Sequence, residues 1–251
     1  MITKKQSQLI KSLHLKKYRK KEQLFFVEGT KSVLELLESD YETRTVYATP
    51  LFLQDNAKEL EKANVELVSV PADILAGLGT FKTNDSALAV AEMKPNQPLE
   101  ATAGEYALLL DDVNDPGNLG TIIRIADWYG IKKLICSENT VDFYSPKVVA
   151  AAKGSFTRVR AYYTNLPGFL AGNRLPVYGA DLEGADVHHF SFSGGGYLLM
   201  GNEANGIHPD LYPFISKKIR IPAYGGAESL NVAIATAIIC DNLRRGEEYS
   251  A

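Results

Sequence analysis

The chain of 251 residues has the length of one or two domains and enough residues for a sizeable buried core. Its 45% hydrophobic and 23% charged residues match a soluble globular protein and exclude a disordered, collagen-like or supercharged chain. A formal net charge of -3, taken alone, argues against a polyanionic partner.

That total hides an asymmetry. Residues 1–21 carry eight basic side chains (Lys4, Lys5, Lys11, Lys16, Lys17, Arg19, Lys20 and Lys21) and no acidic one. The rest of the chain is left with 19 of the 27 basic groups against all 30 acidic ones. The distribution therefore allows a local contact with phosphates that the total disfavours. Leu9, Ile10, Leu13 and Leu15 interleave with the basic residues and predict one or two amphipathic helices.

Strand-like and helical patterns then alternate. A strand is predicted at Leu24–Val27, a helix at Lys31–Ser39, a strand at Thr45–Tyr47, a helix at Leu51–Ala63, a strand at Val65–Val70, a short helix at Asp73–Leu78 and a strand at Ala87–Met93. These elements predict a small α/β domain over residues 1–93. The segment KPNQPLEATAG, residues 94–104, has two prolines and few large apolar side chains and reads as a linker.

A second α/β domain is expected over residues 105–251. Its predicted strands are Tyr106–Leu110, Lys133–Cys136, Val159–Tyr163, Pro176–Gly179, Tyr197–Met200 and Lys218–Ile221. Predicted helices lie at Leu119–Tyr129, Pro146–Ala152 and Asn231–Arg245. Fully apolar strands such as Ala107-Leu108-Leu109-Leu110 point to a parallel sheet covered on both faces. Such sheets bind ligands beyond the carboxyl ends of their strands.

Several chemistries lack their signatures. Cys136 and Cys240 are far apart in apolar stretches and read as buried reduced thiols. His14, His188, His189 and His208 show no metal-ligand spacing, and neither GxGxxG nor GxxxxGK[ST] occurs. The basic N-terminus is followed by no apolar signal segment, and no run reaches the roughly 20 apolar residues that span a bilayer. A cytoplasmic protein without a membrane partner is expected.

Unusual residues cluster in three loops, each after a predicted strand of the second domain. The first, NDPGNLGTIIRIAD at 114–127, combines a turn, a helix start and Arg124 one helical turn beyond Gly120. The second, LLMGNEANGI at 198–207, places Glu203 at a strand exit between Gly201 and Gly206. The third, IPAYGGAESLNVAIATAI at 221–238, has a flexible glycine pair before Ser229-Leu230-Asn231 opens an apolar helix. Each loop alone reads as ordinary capping or turning; three at the carboxyl ends of parallel strands read as a site.

In their order and internal spacing these motifs closely resemble those of the SpoU (TrmH) family of RNA ribose 2'-O-methyltransferases, of the SPOUT class. The resemblance covers roughly residues 105–245. VEGTKSVLELLES, residues 27–39, more weakly resembles the family's N-terminal substrate-binding domain, which is related to a ribosomal-protein RNA-binding fold. The resemblance implies an α/β chain whose C-terminal parallel-sheet domain contains a deep trefoil knot, a topology that periodicity would never suggest. It implies S-adenosylmethionine as cofactor, with Gly201, Ile221 and Leu230 at its backbone contacts, and a homodimer through the knotted domains.

By the same carry-over, Arg124, Asn118, Glu203, Ser229 and Asn231 are the catalytic positions. A guanidinium stays charged and is a poor resting base, so Arg124 is expected to bind the phosphate beside the target ribose and polarise the hydroxyl. Glu203 and Asn231 are expected to orient Arg124 and the nucleotide, with Asn118 in the same network and Ser229 in the wall. The implied substrate is structured RNA. The N-terminal domain favours ribosomal over transfer RNA, by analogy with the family. A catalytically inactive RNA-binding assembly factor is the competing reading, and the retained polar positions argue against it. The chain departs from the family at Ala150 and Ala151, where a basic residue and a serine are common, and at Ala223, where methionine is common.

Overall fold

The computed structural model describes residues 2–192 and 194–248. Helices α1 (Lys4–Ser12) and α2 (Lys16–Glu22) precede β1 (Leu24–Glu28), α3 (Thr30–Leu37), β2 (Thr43–Ala48), α4 (Pro50–Asp55), α5 (Ala57–Ala63), β3 (Glu66–Ser69), α6 (Ala72–Leu78) and β4 (Ala87–Glu92). Then come β5 (Tyr106–Leu110), α7 (Pro116–Trp128), β6 (Lys133–Cys136), α8 (Pro146–Ala152), β7 (Arg160–Tyr163), α9 (Leu166–Ala171), β8 (Val177–Asp186), β9 (Gly196–Met200), β10 (Lys217–Arg220) and α10 (Val232–Glu248). Two compact units result. The first comprises the residues through Pro95 together with Asp142–Thr157, and the second Asn96–Val141 and the chain from Arg158 onward. By chain order residues 142–157 fall within the expected domain 105–251, but they pack in the first unit.

The first unit is built on a mixed sheet in the order β1-β4-β2-β3, with β4 antiparallel to both neighbours and β2 parallel to β3. A reciprocal cap between Thr3 and Gln6 starts α1, and Ile10 and Leu13 then share the face that enters a core with Leu24, Phe26, Leu75 and Leu88. The basic segment is not uniformly solvated. Its seven lysines are exposed, whereas Arg19 is buried, donating to the carbonyls of Leu13 and His14 and pairing with Asp142 at 2.5 Å. The helix predicted over Leu51–Ala63 is two helices. The Asn56 amide donates to the Phe52 carbonyl, a local bond that competes with helix continuation, and Asn56 leaves helical dihedrals at φ -117° and ψ 26°.

The second unit holds six strands in the order β10-β8-β9-β5-β6-β7, every neighbouring pair parallel. β5 and β9 lie in the middle and are buried along their whole length, as continuous apolar runs require. β8 is longer than predicted, because its pairing with β10 stops at Gly179 and resumes at Ala185. The intervening bulge closes on β10 so tightly that a Cβ at Gly184 would lie 2.5 Å from the Ile219 nitrogen. α9 has no predicted counterpart: six residues capped by Asn165 are too short to show a helical period.

α7 and α10 pack against each other. Both cysteines are buried and free of disulfide, and burial pushes the Cys240 thiol up to about 12, so neither offers a thiolate. Among the described residues no helix is long and apolar enough to cross a membrane.

Candidate active site

The carboxyl ends of β5, β9 and β10 release the three motif loops. After β5, the Asp115 carboxylate accepts from the Asn118 N–H at 2.8 Å, and Pro116 occupies the first helical turn. This cap starts α7 three residues earlier than the predicted Leu119 and fixes Asn118 in its first turn. After β9, Asn202 and Gly206 exchange two backbone hydrogen bonds of 2.8 and 3.0 Å and fold residues 201–207 into a tight hairpin. A Cβ on Gly201 would lie 2.2 Å from the Gly206 carbonyl carbon, so the motif glycine is a steric necessity. After β10, residues 221–231 form no helix or strand until the Asn231 Oδ1, accepting from the Ala233 and Ile234 N–H groups, caps α10.

A polar relay joins the loops. Asn231 Nδ2 donates to Asn118 Oδ1 at 2.9 Å, and Asn118 Nδ2 donates to Glu203 Oε1 at 2.8 Å. The Glu203 carboxylate also faces the Asn114 and Asp115 N–H groups at 3.5 and 3.4 Å. Asn118 is half-buried and Glu203 and Asn231 are exposed, so the relay borders solvent.

A cavity of about 780 Å³ opens beside it, with Gly201, Glu203, Ile221, Ser229 and Leu230 among its lining residues. All three predicted cofactor positions and two of the five catalytic ones therefore surround one space. Arg124 stands apart from the relay. Its side chain is exposed and makes no hydrogen bond or ion pair among the described residues. Among the described residues Glu203 and Asn231 make no hydrogen bond to Arg124; they are tied to each other through Asn118.

The cavity wall also holds a cluster that the sequence does not reveal. Lys218 Nζ pairs with Asp181 at 3.0 Å and lies 4.6 Å from the centre of the Tyr212 ring. Burial opposes ionisation of Asp181, but the Glu183 N–H, Lys218 and Tyr212 outweigh it and hold the carboxyl below its ordinary range. Asp181 sits in the β8 bulge, which exists only through pairing with β10, so no local pattern marks it. Asn202 is a second omission. It lies inside a recognised motif, but its structural use depends on a carbonyl ninety residues away in the chain.

The SpoU rRNA Methylase family matches residues 105–241, and the MRM3-like substrate binding domain matches residues 5–89. The 23S rRNA (guanosine(2553)-2'-O)-methyltransferase RlmP of Bacillus subtilis (strain 168) is 32% identical over 248 residues, covering 93% of this chain and 94% of that protein. A TrmH-family protein from Porphyromonas gingivalis superposes with a TM-score of 0.84 at 37% identity, over 98% of this chain and 99% of that one. The SpoU methyltransferase AviRb from Streptomyces viridochromogenes, solved in complex with AdoMet, superposes with a TM-score of 0.87 at 28% identity, over 98% and 99% of the two chains. With two motif loops lining one cavity, the third tied to them through Asn118, and over half its length matched, the chain belongs to the SpoU rRNA Methylase family.

Proposed function

We propose that the protein transfers a methyl group from S-adenosylmethionine to a ribose 2'-hydroxyl of ribosomal RNA. The observation that carries this reading is one cavity lined by residues of the loops 198–207 and 221–238, to which the Glu203–Asn118–Asn231 relay ties the third loop, 114–127.

The cavity suits the cofactor. Its volume lies within the range of about 300–1,000 Å³ typical of small-molecule sites, and its walls include Ile219, Ile221, Leu230 and Ile239. Gly201, Ile221 and Leu230 would hold the cofactor, which supplies an electrophilic methyl group on a sulfonium. Asn118, Glu203 and Asn231 hold the motif loops in register, and Ser229 contributes to the wall. Arg124, exposed and unpaired among the described residues, is available to bind the phosphate beside the target ribose. From there it polarises the hydroxyl oxygen and lowers the cost of losing its proton.

The reading includes the family's deep trefoil knot, a homodimer through the C-terminal domain and a cytoplasmic location. Exposed Ile234 on α10 supplies apolar surface for a second copy; sedimentation showing only monomer at micromolar concentration would remove the dimer.

The test is transfer of labelled methyl from S-adenosylmethionine to ribosomal RNA, with 2'-O-methyl mapping in a deletion strain. Arg124→Ala is expected to bind the donor normally and transfer roughly 10²-fold more slowly. An unchanged methylation map, or donor binding without transfer by the native protein, favours the RNA-binding assembly factor instead.

A further inference from the structure

The geometry points to Asn202 as a positioning residue that sets the Glu203 carboxylate against Asn118; the inference rests on the methyltransferase reading. Glu203 cannot place itself. It is exposed, and of its three contacts only the bond to Asn118 Nδ2, at 2.8 Å, is short; those to the Asn114 and Asp115 N–H groups are 3.5 and 3.4 Å. Its position must come from the backbone that carries it.

Asn202 fixes that backbone at three points. Its Nδ2 donates to the Asp112 carbonyl at 2.7 Å, and its Oδ1 accepts from the Ala204 and Asn205 N–H groups at 2.9 and 3.1 Å. The first bond ties the loop after β9 to the loop after β5; the other two shape the turn through Glu203. The anchor is itself held. Asp112 adopts a left-handed φ of 53°, its N–H donates to Ser137 Oγ at 2.8 Å, and its carboxylate accepts from the Ser137 hydroxyl at 2.6 Å. Asn202 thus uses both ends of its amide inside the protein. It acts on the reaction through Glu203.

A double-mutant cycle on the full-length protein, read as kcat for methyl transfer at saturating RNA and donor, tests this. Asn202→Asp keeps the acceptor for Ala204 and Asn205 but turns a carboxylate toward the Asp112 carbonyl; Asn202→Ser keeps a turn acceptor and cannot span to Asp112. Each is expected to lower kcat at least tenfold, since a displacement near 1 Å can cost about 10² in rate. Added to Glu203→Gln, each is expected to cost less than a further twofold, because the group it positions has already been altered. Losses that multiply, or single variants with native kcat, overturn the inference. A general loss of stability would multiply with Glu203→Gln, so masking separates positioning from folding. A native protein that binds donor but transfers nothing refutes the methyltransferase reading and this inference with it, whereas an active protein with multiplying losses refutes this inference alone.

Discussion

Asn118 can serve the relay in one orientation only. The Asn231 oxygen is committed to the first N–H groups of α10, so only its Nδ2 is left for Asn118. Asn118 must accept there with Oδ1, and its Nδ2 is left to donate to Glu203. A carboxylate of the same size satisfies the first bond and opposes the second. Asn118→Asp is therefore expected to lower kcat roughly 10²-fold, because like charges meet at the relay. The melting temperature should change little, since Glu203 and Asn231 are solvent-exposed. Adding Glu203→Gln restores a donor opposite the new acceptor, and part of the rate should return; a double variant slower than either single one would refute the polarity assigned to the relay. The family resemblance grouped these three residues around Arg124 and the nucleotide. It could not give the direction of the bonds, which depends on what each amide does with its other end.

The elements most legible in the sequence were those whose signal is local. β5 and β6 have the predicted bounds because continuous apolar runs end at polar turns. The β8 bulge and α9 were not legible: one is set by a partner strand, the other is too short for a period. The basic N-terminus was legible as charge but not as division of labour. In α1 and α2 the lysines face solvent, while Arg19 joins the turn between the helices to Asp142. If the lysines meet RNA phosphates, changing Lys4, Lys5, Lys16 and Lys17 to Gln should weaken RNA binding. It should also flatten the dependence of log K on log salt by up to about 0.7–0.9 per lost contact. Donor affinity should not change, and this separates an electrostatic contact from a folding defect. An unchanged salt slope would leave the lysines as a solvated helical face.

At the scale of the whole molecule, chain order and packing disagree over residues 142–157. The segment is flanked on both sides by chain of the second unit, but its side chains complete the core of the first. Tyr144 and Phe156 lie 4.7 and 6.0 Å from Phe25 of β1, ring to ring, α8 packs on β1, and Asp142 neutralises buried Arg19. No local pattern reveals this, because α8 looks like any other short apolar helix of an α/β domain. We therefore expect the SpoU region not to be self-sufficient as a fragment. A chain beginning at Asn96 carries Phe143, Val148, Val149 and Phe156, all buried in the intact protein, without the sheet that covers them. Asp142 likewise loses the guanidinium it faces. Such a fragment is expected to aggregate beyond a dimer and bind a hydrophobic dye. Replacing residues 142–157 with a Gly/Ser segment of equal length should make it monodisperse, because the orphaned apolar surface is removed while the parallel sheet is kept. Light scattering and dye fluorescence on the two fragments decide the matter: equal behaviour would mean that the segment finds a stable place without the first unit, whereas rescue by the Gly/Ser segment would show that the N-terminal unit is needed to cover it.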